Sequence, residues 1–143
     1  MKHLYEADRT TEQKVTIDSA DGGSPYDIIN SVVRKHRHTD FDRRFVLLDS
    51  DVNIEPRDCE LARKNRIVLI ESKPVCLEGM LLDILGERVP RTNQACKDAL
   101  HSLLSGKPTI ASSYADIFTK DLLDNTEKEQ IIILREVISN EIQ

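Results

Sequence analysis

Two carboxylates one residue apart, Asp49 and Asp51, close the stretch "FVLLDSD", and a third, Glu55, follows in "VNIEP". Carboxylate oxygens gathered at one chain reversal are the ligands a hard divalent cation takes. The alternative is loop chemistry, because Asp also satisfies backbone donors at turns and helps to start a following helix. The elements that hold these side chains decide between the two.

Residues 43–49, "RRFVLLD", form a nearly continuous apolar run of strand length, the pattern of a strand covered on both faces. "RIVLIES", residues 66–72, predicts a second such strand, and "EPRDCELARKN" between them predicts a short helix with Pro56 near its start and Glu55 at its positive dipole end. Upstream, "DGGSPYDIINSVVRKHRH" predicts a helix with Ser24 as N-cap, Pro25 at the first position and Ile28, Ile29, Val32 and Val33 on one face. Two further strands are expected over 2–7, "KHLYEA", and 13–20, "QKVTIDSA", the second from the alternation of Val15 and Ile17. Strands alternating with helices predict an α/β fold with a small, mostly parallel sheet flanked by helices. Ligands bind at the carboxyl ends of such strands, which is where Asp49 and Asp51 fall.

After residue 72 the pattern turns helical. "VCLEGMLLDILG" predicts a helix with Leu77, Leu81, Leu82 and Leu85 inward and Gly86 at its end. "TNQACKDALHSLLSG" and "SYADIFTKDLLD" predict two more, and "TEKEQIIILREVISNEI" a last one opened by a Thr126–Glu129 capping box. The layout is an α/β core over 1–86 and a helical extension over 87–143, within a single domain. Ile131, Ile132, Leu134, Val137 and Ile138 predict packing of the last helix on the core, with a homodimer or partner surface through 126–143 as the alternative.

The formal net charge of −5 is unevenly spread, with "VRKHRH" and "DRR" before the acidic pair and seven acids against three bases over 111–143. A uniformly basic nucleic-acid clamp is excluded, while a local basic edge is not, because steering depends on the local field. Cys59, Cys76 and Cys96 are odd in number and widely spaced, which argues against a disulfide framework or a zinc site. No window is apolar enough for a signal peptide or a membrane span, so a cytoplasmic protein is expected. Gly22 and Gly23 before a helix N-terminus have backbone N–H groups suited to a phosphate, or serve only as a flexible turn. Lys73, after the second covered strand, is placed to meet either a phosphate or Glu71.

Four stretches, "YEADRTTE", "GGSPYDIINSVV", "FVLLDSD" and "RIVLIESKPVCLEGMLLDIL", together resemble the Toprim fold and, within it, the RloB-like proteins, which are related to the nuclease half of OLD-type bacterial defence proteins. The last stretch is the most specific, with Ser72, Pro74, Leu77 and Glu78 in that family's Ser-x-Pro and Glu pattern. The resemblance covers about residues 1 to 86. It implies a metal-dependent nuclease of bacterial or phage defence, in which Asp49 and Asp51 hold Mg²⁺ or Mn²⁺ and Glu6 is ligand or general base. Glu78, Ser72 and Lys73 would adjoin that site, and Glu12 would add a further carboxylate. The chain departs from the pattern where Ala7 replaces a glycine and where the short spacing before the second expected strand leaves no room for a full helix. Those departures motivate a second expectation, a Toprim-derived binding or regulatory subunit without catalysis that self-associates through its C-terminal helices.

Overall fold

The computed structural model describes residues 1–6, 14–20, 22–38 and 41–140. It is a mixed α/β chain in which two parallel strands, β1 (Arg44–Asp49) and β2 (Ile67–Ser72), are paired from Arg44 opposite Ile67 to Asp49 opposite Ser72. Before β1 come α1 (Lys2–Tyr5) and α2 (Pro25–Lys35), and α3 (Pro56–Lys64) connects the strands. After β2 follow α4 (Leu77–Ile84), α5 (Asn93–His101), a 3₁₀ turn at Ala111–Tyr114, α6 (Lys120–Asn125) and α7 (Glu129–Ser139).

The start of α2 follows from its sequence. Ser24 Oγ accepts from Asp27 N and Asp27 Oδ2 accepts from Ser24 N, a reciprocal capping box, with Pro25 at the first helical position. At α3, Asp58 Oδ2 accepts from the backbone N of Glu55, the N-cap residue. Both helices lie on one face of the sheet, where Ile29, Ala62, Val46, Leu48 and Ile67 form one apolar cluster. A second cluster joins Met80 and Leu82 of α4 to Cys96 and Leu100 of α5, Leu123 of α6, and Ile131 and Ile138 of α7. The apolar side of α7 is thus largely spent inside the chain, with Leu134 also packed there.

Several expected elements differ. Residues 2–5 are helical, because Met1, Leu4 and Tyr5 fall at helical spacing and pack together on the second cluster, whereas strand alternation would separate Leu4 from Tyr5. Tyr5 is buried, and its hydroxyl donates to Asp124 Oδ1 at 2.7 Å, tying the N-terminus to α6. Residues 14–20 form no strand; Ile17 is 66% exposed, and Asp18 turns back to accept from Ser19 N and to pair with Lys35. β1 and β2 are also less covered than their apolar runs imply, since Leu47 and Val68 stand exposed. Leu77 points outward rather than inward. The stretch 113–124 is broken, because Thr119 caps a new helix by accepting from Leu122 N. No Thr126–Glu129 capping box forms; the N-cap of α7 is Lys128, two residues later, and Thr126 Oγ1 accepts from Lys128 N.

The loop from β2 into α4 is packed tightly enough to exclude a side chain. A Cβ at Gly79 would lie 2.3 Å from the Pro74 carbonyl oxygen, which is backbone and cannot swing aside. Gly79→Ala should therefore destabilise the protein by about 1 to 3 kcal/mol through overpacking, despite the gain of up to about 1 kcal/mol in helix propensity. Urea unfolding gives the sign; a stabilised variant would show that the loop is loose.

Candidate functional site at the carboxyl edge of the sheet

β1 ends at Asp49, and its carboxylate meets three donors. Oδ1 accepts from Leu77 N at 3.1 Å and from Ser72 Oγ at 3.3 Å, while Oδ2 accepts from Asn93 Nδ2 at 3.1 Å. Leu77 is the first residue of α4 and Asn93 the first of α5, so one side chain joins the end of β1 to the starts of two helices. The N-terminal N–H groups of a helix lack intrahelical acceptors and carry partial positive charge, so a carboxylate placed there is stabilised. An ionised carboxylate has roughly four acceptor positions, of which these bonds use three.

Ser72 is fully buried and its hydroxyl also lies 3.0 Å from the Leu48 carbonyl oxygen, so the serine of the Ser-x-Pro pattern is engaged in the strand pair. Asp51 lies beyond the strand, in the turn; its backbone N donates to Val75 O at 2.8 Å and its side chain is exposed. Because the chain turns between them, Asp49 and Asp51 lose the common orientation that two alternate residues of one strand would have. Glu6 ends α1 and pairs with Lys2 at 3.8 Å. Lys73 pairs with Glu71 at 3.2 Å. Glu78 lies in the first turn of α4, close enough to Cys76 and Tyr114 to help raise the pKa of both groups, after burial as the main cause. Glu12 lies outside the described residues.

Among the described residues, no three His, Cys, Asp or Glu side chains stand together so as to hold a metal ion. Among the described residues, the carboxylates of the implied Mg²⁺ or Mn²⁺ centre do not converge as a donor set: Asp49 has one acceptor position left, Asp51 stands in solvent and Glu6 pairs with Lys2. At Gly22 and Gly23, φ values of +87° and +110° use the freedom peculiar to glycine to turn the chain into α2. The Asp27 carboxylate occupies the helix start there, its pKa held low by its bonds to Ser24, and it opposes a second anion.

The structure supplies one positioning residue that the sequence reading did not identify, Asn93, whose only sequence signal is its place after the N-cap Thr92. Two of the three thiols, Cys76 and Cys96, are unsuited to nucleophilic work, whereas Cys59 is exposed. Burial pushes the Cys76 thiol up to about 12, with Cys96 and Glu78 adding to the shift, and Cys96 is fully buried. Compared with known proteins, the chain matches no family model, no curated protein and no solved structure.

Replacing Asp49 by Ala removes the acceptor of Leu77 N and Asn93 Nδ2, while the Ser72 hydroxyl keeps Leu48 O, and should cost about 1.5 to 3 kcal/mol on the scale of hydrogen bonds to charged groups. Asp49→Asn, which keeps one acceptor oxygen, should cost less, and Asp51→Ala should stay within about 0.5 kcal/mol of the parent. Equal effects at Asp49 and Asp51 in denaturant unfolding would remove the structural role assigned to Asp49. A maleimide titration of the native protein should label Cys59 alone, with Cys76 and Cys96 reacting only after unfolding.

Proposed function

We propose that the chain is a Toprim-like binding or regulatory module that does not perform metal-dependent phosphodiester cleavage. The observation that carries this reading is the engagement of Asp49 by Leu77 N, Ser72 Oγ and Asn93 Nδ2, which gives the carboxylate best placed for a cation a structural task. Metal-assisted cleavage needs an ion that neutralises the phosphate and lowers the pKa of an attacking water. That requires several carboxylates converging on one point, and Glu6 and Lys2 instead form a local pair along α1. What the fold supports at this edge is a rigid junction of strand and helices, suited to presenting surfaces to a partner.

The nuclease reading retains one supporting feature, the exposed Asp51 carboxylate beside Asp49 at the edge where α/β folds bind ligands. Incubation with labelled single- and double-stranded DNA and RNA in Mn²⁺ or Mg²⁺ discriminates the two readings. The expected result is intact substrate, and a calorimetric Mn²⁺ titration without saturable heat. Cleavage that EDTA abolishes and that Asp51→Ala removes would overturn the binding-module reading.

A further inference from the structure

We propose that the amino-terminal edge of the sheet, opposite Asp49, is a docking surface for the phosphate backbone of a nucleic acid. The inference deepens the binding-module reading by naming the partner's class, and it uses none of the carboxylates discussed above.

Parallel pairing sets the geometry. Because Arg44 stands opposite Ile67, the residues just before them, Arg43 and Arg66, enter the two strands side by side at one edge. Neighbouring strands lie about 4.8 Å apart, so both guanidinium groups can address one short length of chain. The ends of the two helices arrive at the same edge. α2 delivers Arg34 and Lys35 and the turn after it Arg37, and Arg44 Nη2 donates to the His36 carbonyl at 3.3 Å, which fixes that helix end against the start of β1. α3 delivers Arg63 and Lys64 before a two-residue turn into β2.

Segments 34–44 and 63–66 hold eight Lys and Arg against two Asp, while the rest of the chain holds twelve against twenty-three Asp and Glu. The chain is therefore an acidic protein with one basic pole. Intramolecular pairing accounts for part of that charge: Lys35 meets Asp18, and Arg63 meets Glu60 at 2.8 Å. Arg34, Arg37, Arg43, Lys64 and Arg66 are exposed and form no ion pair with a described residue. Concentrating like charges on one edge costs self-repulsion, which a polyanion relieves.

Four of those five are Arg, whose planar fork of donors matches phosphate oxygens in pairs. Phe41 lies within the patch, edge-on to the His36 ring at 5.2 Å and 6.0 Å from the Arg44 guanidinium, so an aromatic group adjoins the cations as nucleic-acid surfaces require for base contact. An anionic membrane would call instead for a charged face backed by an inserting apolar helix face, and α2 turns its Ile29 and Val32 face to the sheet.

Fluorescence anisotropy with a labelled oligonucleotide of about 20 nucleotides, single-stranded and as duplex, tests the surface, given sites of about 4 to 16 nucleotides for comparable folds. Binding should weaken by a factor on the order of a hundred between about 50 and 200 mM salt, as contact with some four or five phosphates requires. Arg43→Glu combined with Arg66→Glu should abolish it. Arg88→Glu combined with Lys107→Glu, the same change in net charge at exposed positions elsewhere, should leave most of it, with circular dichroism confirming the fold of both variants. Absence of binding at about 50 mM salt, equal losses in the two double variants, or equal affinity for phosphatidylserine vesicles or polyglutamate would overturn the proposal. Loss of binding without cleavage leaves the reading of the carboxyl edge standing; cleavage with binding intact overturns that reading alone.

Discussion

The carboxylate of Asp49 is the point on which the arrangement of this chain turns. Two parallel strands offer little area for ordering the seven described helices by packing alone, and in the second half α4 and α7 both touch β2. Asp49 supplies the directional bonds at that junction, to the first N–H of α4, to the Ser72 hydroxyl and to the first side chain of α5. Charge assistance strengthens the bonds from Leu77 N and Asn93 Nδ2, while the single Ser72 proton is shared with the Leu48 carbonyl oxygen. Gly79 completes the junction by letting α4 approach the Pro74 carbonyl more closely than any side chain would permit.

The junction divides the chain into two poles. At the carboxyl edge, helix N-termini and strand ends converge, and the protein's own carboxylates, Asp49 on α4 and Asp58 on α3, occupy the positions an external anion would seek. At the amino edge, parallel strands and returning helices bring basic residues from two separate segments into one place. This polarity follows from strand direction: in a parallel pair both N-terminal ends, and the C-terminal ends of the helices that lead into them, lie on the same side. Lys and Arg in the last turns of α2 and α3 also suit the negative ends of the helix dipoles. Charges that favour helix formation thereby also form the surface.

The elements legible beforehand were those whose signals are local. Ser24, Pro25 and Asp27 specify the start of α2 by bonds within four residues, and the runs 44–49 and 67–72 are apolar enough to be strands in any setting. Glu55 and Pro56 announced α3 in the same way. The failures occurred where local signals were balanced. "KHLYEA" is short enough to be a strand, yet Leu4 and Tyr5 lie three and four residues after Met1 at helical spacing, and the burial of Tyr5 with its bond to Asp124 on distant α6 decided the matter. Val15 and Ile17 alternate too, but the chain there turns Asp18 toward Lys35 and does not pair with β1.

For the candidate site, composition and spacing alone placed Asp49 and Asp51 at the end of a strand in an α/β chain, because a two-residue period and an apolar run are properties of neighbours in sequence. They also established that the chain is acidic and that its bases come in clusters. What each carboxylate touches was decided only by tertiary structure: Asp49 is bonded across 23 to 44 residues of chain, while Asp51, two positions away, faces solvent. Hydrogen bonding is directional over about 3 Å, so the roles of two adjacent acids depend on where distant donors are brought. The same holds for Arg43 and Arg66, which are 23 positions apart in sequence and become neighbours only through the parallel register.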